Sequence, residues 1–200
     1  MATLLRLKLD TERMVEIIRN LLFLARADGG HPSGTASMVD PSRLAQETID
    51  ELAPMLYARS HQVELRPSPA QLRGNEVLLQ QLFMKLLKNA AQNTPAGGEI
   101  RMACGVEADF WRCRVSDTGV GIPAEMSERI FERFFRVDPA RQRESGGAGL
   151  GLAIARQIAR EHNGEVRLEW SEVGKGSCFK VQLPLPTSSS LQTQPENLQK

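Results

Sequence analysis

The chain predicts an α+β fold, a two-layer α/β sandwich in which a mixed, mostly antiparallel sheet carries helices on one face, preceded by one amphipathic helix. Two observations predict it. Strand-like segments come in neighbouring pairs joined as hairpins, and helix-periodic segments are mixed among them rather than alternating one for one.

From Asp10 to Asp28 the apolar residues Met14, Ile17, Ile18, Leu21, Leu22 and Ala25 fall at helix spacing, and Gly29-Gly30 ends the run. Gly29 to Ser37 is a Gly/Ser/Pro linker rather than a tight turn, so the stripe is expected to pair with another chain or with a segment outside this one. A second helix starts after Asp40, with Pro41 in its first turn and Leu44, Ile49, Leu52 and Leu56 inside; Pro54 should kink or end it. Gln62 to Arg66 alternates as a short strand. Helices follow at Glu76 to Asn93 and Leu150 to His162. Glu99 to Val106 and Phe110 to Ser116 read as one hairpin, Glu165 to Trp170 and Cys178 to Leu183 as another. The expected divisions are residues 1–30 for the first helix, 31–39 for the linker, 40–185 for the main domain and 186–200 for a polar tail whose composition predicts disorder.

With 25 basic and 24 acidic side chains in 200 residues the net charge is +1, so no global field recruits nucleic acid or anionic lipid. Cys104, Cys113 and Cys178 have no paired spacing, which argues for strand cores in a reducing compartment and against zinc or a disulfide framework. No apolar run approaches the roughly 20 residues that span a bilayer, so the chain as given is expected to be cytoplasmic. His31, His61 and His162 are expected at the surface, and none belongs to a metal triad or a nucleophile pair.

The chemistry concentrates in three places. Asp117-Thr118-Gly119-Val120-Gly121-Ile122-Pro123 follows a strand, Gly146-Gly147-Ala148-Gly149-Leu150-Gly151-Leu152 opens a helix, and Asn89 lies on the Glu76 to Asn93 helix. A glycine run at a helix start leaves N–H groups facing an anion, and together the three read as walls of a nucleotide pocket. On that helix Leu79, Phe83, Leu86 and Ala90 form the core stripe, beside a second stripe of Leu78, Leu82, Lys85, Asn89 and Gln92 that turns polar. Asn89 offers a neutral oxygen suited to Mg²⁺, or ends the helix in solvent; Asp117 can accept from the amine of a base, or simply starts a turn. Phe131-Glu132-Arg133-Phe134-Phe135-Arg136 reads as a core anchor or as a lid hinge that brings Arg133 or Arg136 to phosphate. The glycine run lacks Rossmann spacing and a preceding strand, and Gly174-Lys175-Gly176-Ser177 lacks the upstream glycine of a Walker loop.

In this order, Asn89-Ala90-Ala91, Asp117 to Pro123, Phe131 to Arg136, Gly147 to Leu152 and Gly174 to Ser177 resemble the N, G1, F, G2 and G3 boxes of the catalytic ATP-binding region of bacterial sensor histidine kinases. The resemblance covers about residues 40 to 185 and implies the Bergerat ATP fold, with ATP and Mg²⁺ as cofactors. It implies that Asn89 holds the metal, Asp117 reads the adenine amine, and Gly119, Gly121 and Ile122 line the base. Gly147, Gly149, Leu150 and Gly151 would cover the phosphates, Arg141 to Gly146 would form a mobile lid, and Gln92, Asn93 and Ser177 would complete the ATP site. Lys85, Arg133 and Arg136 are the catalytic candidates. Leu21 to Asp28 is similar to the second helix of the dimerisation and phosphoacceptor hairpin, whose first helix, with the acceptor histidine, is not among these residues.

Three departures from the pattern stand out. Lys85 occupies a position where the family usually has Asn, Gln92 and Asn93 replace a frequent Lys and Tyr, and Ala148 replaces Ser or Thr. The leading expectation is therefore an ATP-binding kinase module that transfers the γ-phosphoryl group to a histidine on a segment absent from this chain and cannot autophosphorylate by itself. The alternative is a non-catalytic nucleotide-responsive regulator, with transfer impaired by Lys85. A gyrase-type ATPase is disfavoured because a carboxylate one turn before Asn89 is lacking. The implied partners are ATP, the acceptor helix, a response regulator and a second copy of the chain, with no nucleic acid; the resemblance leaves room for an inner-membrane anchor on a longer parent.

Overall fold

The computed structural model describes residues 2–29, 35–137 and 148–186. The expected tail beyond Pro186, His31 in the linker, the lid from Arg141 to Gly146, and Gly147 lie outside the described residues. In chain order the elements are α1 (Ala2–Asp28), β1 (Ser37–Val39), α2 (Pro41–Ala58), β2 (Gln62–Arg66), β3 (Leu72–Gly74), α3 (Glu76–Asn93), β4 (Glu99–Glu107), β5 (Phe110–Asp117), two short 3-10 turns (Ala124–Met126 and Arg129–Phe131), α4 (Gly151–Glu161), β6 (Glu165–Glu172) and β7 (Gly176–Pro184).

The main sheet runs β2-β4-β5-β7-β6, antiparallel except for the parallel β2–β4 pair. Period-two alternation decides its two faces. Ile100 and Met102 on β4, Trp111, Cys113 and Val115 on β5, and Phe179, Val181 and Leu183 on β7 are buried under the helices. The intervening positions carry ion pairs across the strands, such as Arg101 with Glu64 at 2.6 Å and Arg114 with Glu169 at 2.6 Å. Exposed pairs of this kind contribute at most about 1 kcal/mol each; their larger effect is to keep that face wet.

The helices are built by their ends and their apolar stripes. Asp40 caps α2 by accepting from Ser42 N at 2.9 Å, and Asn75 caps α3 by accepting from Leu78 N at 3.1 Å. Leu79, Leu82, Phe83, Leu86 and Leu87 of α3 are fully buried, and Phe83 meets Trp111 edge to face with ring centroids 5.9 Å apart. Such aromatic pairs add about 1 kcal/mol beyond area burial. Thr94 and Pro95 end α3: the Thr94 hydroxyl donates to Ala90 O at 2.7 Å, and proline cannot continue the helix.

Several expectations require correction. Helix α2 runs through Pro54 to Ala58; buried Leu52 and Leu56 on either side hold the helix to the core, which offsets one lost backbone hydrogen bond. Helix α1 begins eight residues earlier than its apolar periodicity indicates. Ser37–Val39, inside the expected linker, forms a strand antiparallel to the unanticipated β3. His61 is not at the surface: it is 6% exposed, with Nε2 3.2 Å from Thr94 O. His162 joins two helices, its Nε2 accepting from Asn75 N at 3.0 Å and its Nδ1 2.7 Å from Ile158 O, so the ring is the Nδ1–H tautomer.

The apolar stripe of α1 also divides. Ile17 and Leu21 of the stripe pack on the core beside buried Leu24, so part of α1 is covered by the chain's own domain. Met14, Ile18 and Leu22 face outward.

Candidate functional site

Between α1, the C-terminal half of α3, the segment after β5 and the start of α4 lies a cavity of about 590 Å³. That is well within the range of small-molecule sites. Helix α3 contributes Lys85, Asn89, Gln92 and Asn93. Asn93 Nδ2 donates to Asn89 Oδ1 at 3.2 Å and to Asn89 O at 2.8 Å, which fixes the Asn89 oxygen as the acceptor end of its amide.

The floor is set by β5. Asp117 ends that strand 3% exposed, standing just behind the lining and joined to it through Ser177 of β7, whose hydroxyl donates to Asp117 Oδ2 at 2.7 Å. Gly119 N donates to Asp117 Oδ1 at 2.9 Å. Burial raises the Asp117 pKa above its ordinary value, while these donors oppose the rise by favouring the ionised form. An ionised carboxylate has about four acceptor sites, so capacity remains for a ligand amine.

The loop after β5 reaches the cavity with Val120, Gly121, Ile122 and Pro123. Gly121 has φ +70°, and a Cβ there would collide with the Glu172 carbonyl. Gly119 is needed for internal packing instead: its Cβ would lie 2.6 Å from both Asn93 O and Asp117 Oδ1.

The opposite rim is the entry to α4. Gly149 (φ +71°) accepts from Phe134 N at 2.9 Å, tying this rim to the aromatic segment. Leu150 precedes the first turn without a side-chain cap, and Gly149, Leu150, Gly151 and Leu152 line the cavity. The first N–H groups of a helix have no intrahelical acceptor, so this rim suits an anion.

The aromatic segment splits in role. Phe131 is buried edge to face with Phe179, centroids 6.3 Å apart, and Phe135 lines the cavity with the Arg129 guanidinium 4.4 Å from its ring centroid. Arg136 lines the cavity; Arg133 does not, because Asp28 of α1 holds its guanidinium at 2.8 Å. Of the residues singled out from sequence, Lys85, Asn89, Gln92, Asn93, Gly121, Ile122, Arg136, Gly149, Leu150, Gly151 and Ser177 share one lining, Asp117 and Gly119 back it, Arg133 stands outside it, and Gly147 lies outside the described residues.

Sequence reasoning missed Glu16, Ile17 and Asn20 of α1, which also line the cavity, together with Lys88 and Val173. The signal was present in Asn20, a polar side chain set among Ile17, Leu21 and Leu24 on the inward face and only 8% exposed.

The chain matches the family described as "Histidine kinase-, DNA gyrase B-, and HSP90-like ATPase" over residues 74–187. It is 34% identical over 178 residues to the sensor-like histidine kinase SenX3 of Mycolicibacterium smegmatis, covering 88% of this chain and 46% of that protein. It is 36% identical over 169 residues to the phosphate regulon sensor protein PhoR of Pseudomonas aeruginosa, covering 84% and 38%. The chain thus spans less than half the length of these relatives. Among solved structures, the mycobacterial sensor histidine kinase MprB superposes with a TM-score of 0.66 at 26% identity, covering 76% of this chain and all of that one. The Acinetobacter baumannii histidine kinase AdeS gives 0.71 at 18% identity, covering 88% and 81%, a likeness of fold alone. The five ordered motifs, the cavity they surround and the family match agree: the chain belongs to the histidine kinase-, DNA gyrase B- and HSP90-like ATPase family.

Proposed function

We propose that this chain is the ATP-binding catalytic module of a two-component sensor histidine kinase, delivering the γ-phosphoryl group of ATP to a histidine on a separate segment or on a longer parent chain. The observation that carries it is one cavity lined by Asn89, by Ser177 with Asp117 just behind it, and by the open first turn of α4. The relatives' names favour this over a purely regulatory nucleotide sensor.

In this reading Asp117 and Ser177 recognise the adenine amine, and Ile122 supplies apolar contact to the ring. Lys85, Lys88 and Arg136 supply positive charge, and the α4 N–H groups receive phosphate oxygens. The donor set fits Mg²⁺ entering with the nucleotide. Asn89 offers one neutral oxygen, and among the described residues no cluster of three or more His, Cys, Asp or Glu forms a standing cage. That matches an ion that binds through one or two protein oxygens plus phosphates. Bound there, Mg²⁺ would neutralise charge developing on the phosphates. The protein's own part is positioning and electrostatics, since phosphoryl transfer needs little covalent help. Among the described residues neither His61 nor His162 lines the cavity, which supports an acceptor supplied by a separate segment. A response regulator downstream and a second copy through the outward face of α1 complete the proposed partners.

Titration with ATP and Mg²⁺ tests binding, and radiolabelled ATP with the supplied acceptor helix tests transfer. Label on histidine supports the kinase reading; tight binding with no label under any acceptor favours the regulator.

A further inference from the structure

Lys85 and Glu16 carry an observation that the motifs do not explain. The Lys85 side chain is only 12% exposed and lines the cavity one helical turn before Asn89, and its ammonium meets the Glu16 carboxylate of α1 at 2.9 Å. Glu16 is itself 59% exposed, so the pair sits at the cavity mouth with its cation inward and its anion outward. The Lys85 contact, opposed in part by burial, holds the Glu16 carboxyl below its ordinary pKa, with Lys88 and Asn20 adding to the effect. An anion from a different helix thus occupies the coordination of a cation that faces the nucleotide space.

We propose that Glu16 is a displaceable stand-in for nucleotide phosphate on Lys85, so that docking of α1 and binding of a nucleoside polyphosphate oppose each other. The inference rests on the nucleotide reading above. Three facts favour displacement over a static brace. Lys85 has a flexible stem and three donors and can turn toward a second anion. Two anions sharing one ammonium repel at short range in a partly dry cleft. From Ile17 onward helix α1 is held by Ile17 and Leu21 on the core, by buried Leu24 and by Asp28 on Arg133, so the exposed Glu16 side chain can leave Lys85 without detaching the whole helix. Coupling is reciprocal: whatever affinity nucleotide loses to Glu16, α1 loses to nucleotide.

The test is calorimetric titration of the full chain and of Glu16→Gln with ATP and with adenosine, each with Mg²⁺ and with chelator. ATP should bind Glu16→Gln tighter by on the order of fivefold, the scale of one partly exposed ion pair, while adenosine, which has no phosphate, should bind both equally. In a Lys85→Gln background the Glu16→Gln gain should vanish. Amide exchange over residues 14–24 of the wild type should speed up with ATP and not with adenosine.

Equal ATP affinities would overturn the proposal. So would an equal gain for ATP and adenosine, which would mean that α1 merely covers the cavity, and so would weaker ATP binding by Glu16→Gln, which would make Glu16 a helper. If the wild type binds neither ligand, the nucleotide reading itself fails and the proposal falls with it; wild-type binding with any of the other negative results overturns the proposal alone.

Discussion

Ser177 Oγ and Asp117 Oδ2 lie 2.7 Å apart and bind the ends of two neighbouring strands through one side-chain hydrogen bond at the base of the cavity. The buried carboxylate is thereby oriented by a hydroxyl on one side and the Gly119 N–H on the other. Asp117→Asn keeps the size and one acceptor but loses the charge, so ATP affinity should fall by about 10- to 100-fold, the value of a charge-assisted hydrogen bond. Titration calorimetry checks this, and unchanged affinity would remove Asp117 from the site.

The same residue predicts a pH dependence. Its native pKa is raised above 3.8 by burial, so between that value and the native one the folded state keeps a proton that the unfolded chain has lost. Stability contributed by Asp117 therefore falls as pH rises through that window. Asp117→Asn should flatten this part of a denaturation series measured across pH 3.5 to neutrality, in steps of about half a unit. Nucleotide affinity should move the other way, weakening as pH falls and the carboxylate is protonated.

Gly121 and Gly151 should respond oppositely to alanine. At Gly121 the positive φ and the Glu172 carbonyl leave no room, so Gly121→Ala should destabilise by about 1–3 kcal/mol and distort the cavity wall. At Gly151 nothing lies within 4 Å of a Cβ, so Gly151→Ala should leave thermal stability unchanged or slightly higher. Thermal denaturation of the two variants side by side checks the contrast.

Arg133 and Arg136 are neighbours in sequence with different expected effects. Arg133→Ala breaks an exposed pair with Asp28, should cost less than about 1 kcal/mol and should leave ATP affinity within about twofold. Arg136→Ala removes a cation from the cavity lining and should weaken ATP more than adenosine. A large ATP defect in Arg133→Ala would contradict the observed placement.

Acid should loosen α1. The Glu16 pKa is lowered from 4.5 chiefly by Lys85, so the native state binds that proton less readily than the unfolded chain. Its contribution is complete above pH 4.5 and is lost as pH falls through the native value. A pair of distance probes on α1 and α4 should report separation on acidification, an effect absent in Glu16→Gln.

Much of the fold was legible because its elements are long and periodic. The α3 bounds Glu76–Asn93 follow from an unbroken stripe between polar ends, and both hairpins follow from alternation. Strands β1 and β3 were not legible, since three residues each are too few to display a period. Pro54 does not end α2, because buried leucines on both sides override the local rule. The chemical residues could be named from motif order, but a motif cannot say that Arg133 is captured by Asp28 or that α1 folds back to supply Glu16 and Asn20; those depend on contacts across 69 to 105 residues.

Strand β5 is flanked on both sides, its last residue Asp117 in register with Ile100 on β4 and Ser177 on β7. A carboxylate at the end of such a doubly clamped strand has almost no freedom to shift. In the proposed nucleotide reading that end of the cleft is an anvil, and any fitting of wall to guest falls to the far jaw, the helix α1 side.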